Sequence, residues 1–176
     1  MATTKWTIDS THSEIGFKVK HMMFTNVSGK FDSYEGVIET EENDFSTAKV
    51  SFSAAINSIN TSNVDRDNHL KSGDFFDAEN FPNLTFKSSS FSKVNDHNYE
   101  LTGTLTIKGT SKEVKLPVEF SGLMQDPWGN TKVGLNIEGK INRKDWGLNW
   151  NAALETGGVL VGEEVKLIIE LQLVKA

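Results

Sequence analysis

Cysteine is absent from the 176 residues. Disulfides, thiolate catalysis and thiolate zinc sites are thereby excluded. No apolar run is long enough to cross a bilayer as a helix, so no stable membrane insertion is expected. Basic clusters are missing too. Lys and Arg number 18 against 24 Asp and Glu, a net charge of -6, whereas nucleic acids and anionic surfaces recruit clustered cations. No nucleic-acid partner is expected. The segment Met1-Ala2-Thr3-Thr4-Lys5-Trp6 lacks the apolar stretch of a secretory leader. The expected location is cytoplasmic, or periplasmic if a leader has been removed.

What is present is ordinary in amount. Hydrophobic residues make up 37% and charged residues 24%, a globular composition. The length suits one domain over residues 1–176. The pattern is more telling. Ile15, Phe17, Val19 and His21 share one face of a period-two segment, opposite Glu14, Lys18 and Lys20. Val50–Ile56, Tyr99–Ile107, Val114–Phe120, Val133–Ile141 and Val165–Leu173 alternate in the same way. One apolar and one wet face is the mark of antiparallel sheet.

Turn chemistry separates these runs. Lys108-Gly109-Thr110-Ser111, Asp126-Pro127-Trp128-Gly129-Asn130 and Asn95-Asp96-His97-Asn98 are hairpin connections. With Thr4–Asp9, Gly29–Thr40 and Leu84–Lys93 the count reaches about eight or nine strands, and consecutive hairpins favour an up-and-down barrel over a sandwich. Helix fits one place. Ser62 and Asp65 resemble a capping box, Lys71 stands near the end, and Gly73 suits a left-handed cap. The expected helix runs from about Asn63 to Ser72.

The inward-facing set is rich in Phe: Phe17, Phe24, Phe31, Phe52, Phe75, Phe76, Phe86 and Phe120. Eleven Phe against two Tyr is a choice of area without a polar handle. An eight-stranded barrel is either filled by such side chains or holds one small ligand, and the pattern alone leaves both open.

Catalytic candidates are sparse. His12, Ser13 and Asp9 invite comparison with a triad, but neighbours on a strand point to opposite faces, and no nucleophile elbow is present. His12, His21 and His69 match no zinc spacing. No catalytic residue, metal site or cofactor is expected. Asp65, Arg66, Asp67 and His69 form a charge cluster that is either a solvated helix face or a polar rim meeting a ligand head group. Arg143 supplies a second cation able to hold a pyrophosphate or carboxylate. Trp146 and Trp150, followed by Gly157-Gly158, mark a loop suited to gating an opening.

The segments WTIDSTHSEIGFKVKH (Trp6–His21), GKF (Gly29–Phe31), SINTSNVDRDNHLKSGDFFDAENFPNLTF (Ser58–Phe86), GTLTIKGTSKEVKLPV (Gly103–Val118) and INRKDWGL (Ile141–Leu148) resemble the YceI-like family. These are polyisoprenoid-binding, lipocalin-like proteins of bacteria, and the resemblance covers essentially the whole chain. Ser10 stands where the family often has Pro, and Trp146 where Phe is frequent. The resemblance implies an antiparallel eight-stranded lipocalin-like barrel, a long isoprenoid or related amphiphile inside it, and a homodimer. It also implies that the His12–Ser13 segment, His21 and the Asp65–Phe76 region line or close the pocket.

Three readings follow. The first is a carrier or store for a lipophilic molecule such as a polyprenyl compound or quinone. The second is an isomerase or hydrolase of a lipophilic substrate, using His21, His69, Asp67 and Arg143. The third is a structural or stress-associated interaction protein whose barrel is filled.

Overall fold

Alternating side chains commit most of the chain to extended backbone, and extended backbone must find partners for its N–H and C=O groups. The computed structural model describes residues 2–152 and 160–176. Its strands are β1 (Thr3–Ile8), β2 (Glu14–His21), β3 (Thr25–Phe31), β4 (Tyr34–Glu41), β5 (Asp44–Ala55), β6 (Ile59–Asn60), β7 (Asn83–Asn95), β8 (Asn98–Ile107), β9 (Thr110–Gln125), β10 (Thr131–Asn142) and β11 (Val161–Lys175). One α-helix among the described residues, α1 (Val64–Lys71), lies between β6 and β7.

Eight strands close a ring in the order β1-β4-β5-β7-β8-β9-β10-β11, with β1 paired back onto β11. All pairings are antiparallel. β11 serves β1 along Trp6↔Lys175 to Ile8↔Leu173 and then β2 along Glu170↔Glu14 to Val161↔His21. β1 and β2 are therefore one long strand broken by the 3-10 turn Ser10–His12. In the same way β3 runs on into β4 across Asp32-Ser33, and β5 into β6 across the 3-10 turn Ile56–Ser58. The barrel is an up-and-down meander of eight staves, the first three broken at one level. The Gly29–Thr40 run expected as one strand is thus two, and the breaks raise the number of strand segments above the eight or nine expected.

Hydrogen bonds stitch the break together. Ser13 Oγ accepts from Gln172 N at 2.9 Å, the Tyr34 hydroxyl donates to Ser13 O at 3.1 Å, and Ser58 Oγ donates to Ala55 O at 2.6 Å. Beyond the break the ring is no longer a continuous ladder. β6 pairs β3 only at Lys30↔Asn60 and Phe31↔Ile59 and has no ladder to β7. Helix α1 and the loop behind it cover this seam, with the Phe76 ring edge-on to Phe31 at 6.2 Å between centroids.

The helix begins one residue later than the capping box implies. Asn63 is the N-cap, its side chain accepting from Arg66 N at 3.0 Å, whereas Ser62 is left-handed at φ 63°. Gly73 takes no left-handed cap. Ser72 ends the helix, its N–H donating to His69 O at 3.1 Å, and the chain folds back through Phe76 N to Leu70 O at 3.0 Å.

At the opposite end the rings of Trp6, Phe45, Phe91, Tyr99 and Phe120 pack together. Phe45 lies 5.1 Å from both Trp6 and Phe120, and Tyr99 lies 5.0 Å from Phe91 and 5.1 Å from Phe120. The Trp6 indole donates to Thr40 Oγ1 at 3.1 Å, so its buried N–H is satisfied. This plug closes one end. Because Phe45 touches three other rings, Phe45→Ala should destabilise the protein by about 3–5 kcal/mol, measured as a lowered urea midpoint with unchanged far-UV circular dichroism in water.

Candidate functional site

The inner faces of the eight staves do not meet. They enclose a cavity of about 600 Å³ whose wall is almost wholly apolar, within the range typical of ligand pockets. Phe91 forms its floor with the aromatic plug behind. Phe17, Phe31, Phe52 and Phe86 stand in its wall, as their alternation requires. Phe75 and Phe76 enter from the loop behind α1, and Trp146, His21, His69 and Arg143 lie around the mouth.

Four residues named from the sequence are not in the wall. Phe120 keeps the inward face of β9 but lies below the floor, in the plug. Phe24 falls in the β2–β3 turn and is 82% exposed. His12 is outside the barrel, Nδ1 at 2.8 Å from Asp9 Oδ2. Asp67 turns away from the lumen to accept from Thr61 N at 2.9 Å and Thr61 Oγ1 at 2.5 Å. Ile8, Leu70 and Leu148 line the cavity without having been singled out. Ile8 was within reach, since it follows Trp6 by two in a strand. Leu70 was within reach too, since in the expected helix it shares a face with Asn63 and Arg66.

The segment after β10 shows how sequence builds the mouth. Asn142 caps a 3-10 turn by accepting from Lys144 N at 3.0 Å, and Gly147 ends it at φ 79°. Between them Arg143 and Trp146 are turned inward and buried. The Trp146 indole donates to Leu105 O at 2.8 Å. The Arg143 guanidinium donates to backbone carbonyls, Nε to Gly162 O at 2.8 Å, Nη2 to Val161 O at 3.3 Å and Nη1 to Leu148 O. Burial pushes its pKa down, opposed by nearby Glu163, yet an arginine stays charged. Among the described residues no carboxylate lies within ion-pair distance of Arg143 or Arg66.

Arg66 also lines the mouth. Its Nε donates to Thr61 Oγ1 at 2.8 Å and its Nη2 to Thr61 O at 2.7 Å. His69 is held by Asp74 at 2.9 Å and sits edge-on to Trp150, 4.6 Å between centroids. Of the loop marked by Trp146, Trp150 and Gly157-Gly158, the two glycines lie outside the described residues. His69, Asp67 and Arg143 thus have separate partners, Asp74, Thr61 and backbone carbonyls, and Asp67 is not in the cavity lining with the other two. Among the described residues no group of three His, Asp or Glu side chains is placed to hold a metal ion.

A family profile described as the YceI-like domain matches residues 6–173. The chain belongs to the YceI-like family. The UPF0312 protein SAS2572 of Staphylococcus aureus (strain MSSA476) is 44% identical over 164 residues, 93% of each chain. The solved YceI protein of Campylobacter jejuni is 33% identical, with a TM-score of 0.78 over 96% of both chains. A polyisoprenoid binding domain from Saccharophagus degradans superposes with a TM-score of 0.70 over 97% of this chain and 98% of that one. At 14% identity that likeness speaks for the fold.

In this YceI-like chain the Asp9–His12 pair does structural work at the stave break. Hydrogen bonds from the Thr11 hydroxyl at 2.6 Å and from His12 lower the Asp9 pKa from 3.8 to about 2. The folded state therefore favours the ionised carboxylate. Its contribution is complete above pH 3.8 and disappears as pH falls through about 2. Thermal unfolding of wild type and Asp9→Asn across this range should show a gap in melting temperature that is widest at higher pH and closes toward pH 2.

Proposed function

We propose that the chain binds one long lipophilic molecule inside the barrel and acts as its carrier or store. The observation that carries this is the hollow interior. An apolar cavity of about 600 Å³, floored at one end and open at its mouth, offers water few partners and is costly to leave empty. Each CH₂ moved from water into it contributes ~0.8 kcal/mol, so the tail supplies most of the affinity. A polyisoprenoid or similar amphiphile is the class favoured by the neighbour from Saccharophagus degradans. The same proposal includes a homodimer with one cavity per protomer, which rests on the family resemblance.

The head group belongs at the mouth, where Arg66 and Arg143 supply charge-assisted donors. An anionic head such as a phosphate suits them better than a neutral one. A binding role fits the separate partners of His69, Asp67 and Arg143 better than an isomerase or hydrolase role, in which acid and base must reach one substrate atom. The cavity likewise speaks against a barrel that serves only as a filled scaffold.

Protein purified without detergent should carry one lipid per chain in native mass spectrometry, within a dimer. Protein that is repeatedly empty and takes up no added prenyl phosphate would overturn the proposal. Arg66→Gln should weaken a prenyl phosphate about tenfold and leave the matching prenyl alcohol unchanged, as read by quenching of intrinsic tryptophan fluorescence.

A further inference from the structure

Four glycines occupy inward positions in the barrel wall: Gly29 on β3, Gly36 on β4, Gly103 on β8 and Gly139 on β10. Each alternates with lining residues of its strand, Gly29 between Val27 and Phe31 and Gly139 between Ile137 and Ile141. None of the four has a left-handed φ, in contrast to Gly109, Gly122, Gly129 and Gly147. Any residue could adopt their backbone conformation. What they provide is space.

That space is filled from the neighbouring strand. A methyl group on Gly29 would lie 2.4 Å from Cζ of Phe17, and one on Gly103 would lie 2.5 Å from Cζ of Phe86. On Gly139 it would lie 2.5 Å from Cδ2 of Leu116, and on Gly36 2.8 Å from Cδ1 of Ile8. All four covering side chains line the cavity. Side chains on a strand normally stand roughly perpendicular to the sheet, which in a barrel means into the lumen. Here four large ones lie flat along the wall because the adjacent position has no Cβ. The barrel keeps its apolar lining and still leaves a bore.

We propose that Gly29, Gly36, Gly103 and Gly139 are specificity-determining residues. By letting Phe17, Ile8, Phe86 and Leu116 lie against the wall they set the bore, making it wide enough for a methyl-branched prenyl chain as well as a straight acyl chain. This rests on the lipid-binding reading above. Adding a methyl at any of these positions drives the covering side chain off the wall and narrows the cavity at that level.

Gly139→Ala and Gly29→Ala are the cleanest tests, since the closest atoms met are the far ends of the Leu116 and Phe17 side chains, whereas Gly103 also faces the Lys87 carbonyl at 2.5 Å. Gly73→Ala, with nothing within 4 Å, is the control. The probes are geranylgeraniol and stearyl alcohol, which share a hydroxyl head and differ in branching. Each lumen variant should lose affinity for geranylgeraniol about tenfold and for stearyl alcohol less than about threefold. Leu116→Val added to Gly139→Ala, and Phe17→Leu added to Gly29→Ala, should restore the branched ligand. Equal losses for both alcohols, or no loss for either, would overturn the proposal. If the wild type takes up neither alcohol, the lipid-binding reading falls, and crystal structures of the two variants still decide the bore. Leu116 or Phe17 displaced into a smaller cavity supports it. The same side chain still against the wall, with the backbone moved outward, overturns it.

Discussion

Three residue pairs, Trp6 with Lys175, Thr7 with Val174 and Ile8 with Leu173, join β1 to β11 and turn a sheet into a cylinder. Up to the stave break the cylinder has no free edge, so that part of the wall satisfies its own peptide groups whether or not anything fills the middle. That independence is what a hollow protein needs. In a sandwich, facing side chains must meet to hold the two layers together. Here the ladders and the outer surface hold the wall, and the inner side chains are free to leave a cavity.

The two ends of the cylinder use aromatic residues differently. At the closed end Trp6, Phe45, Phe91, Tyr99 and Phe120 pack on one another and provide the rigid base. At the open end His69 of α1, Phe75 of the loop behind it and Trp150 of the segment after β10 pack on one another, with Asp74 holding His69. Charge follows the same division. The lumen is apolar to its floor, and cations gather only at the mouth, where Arg143 is anchored by backbone carbonyls rather than by acids. A molecule with an oily tail and an anionic head matches that gradient in one orientation only.

Most of the barrel was legible because period-two alternation reports burial directly. Phe17, Phe31, Phe52 and Phe86 fell in the wall for that reason, and the INRKDWGL run marked the mouth through Arg143 and Trp146. The losses have physical causes. Alternation says which way a residue points but not how far along the axis it sits, so Phe120 reads like a wall residue although it lies beneath the floor. Phe24 is out of step with Ile15, Phe17, Val19 and His21 on the inward face of β2 and lies in the turn that follows, where an apolar side chain is no sign of burial. His12 and Asp67 are polar residues with close local partners, Asp9 and Thr61, and composition gives no sign of such private pairings. The emptiness itself was beyond the pattern, because a glycine in an alternating strand reads as a weakness until the side chain lying over it is seen.

The seam between β3 and β7 has a mechanical consequence. Everywhere below the stave break, spreading two neighbouring strands would rupture a ladder of peptide hydrogen bonds. Along the seam the joint is made by α1 and by ring contacts such as Phe31 with Phe76. Each dispersion contact there is individually small, and parting the joint breaks no peptide ladder. The cylinder is therefore built like a sleeve with a placket: stiff around its base, and able to part along one line near its rim without unravelling the weave.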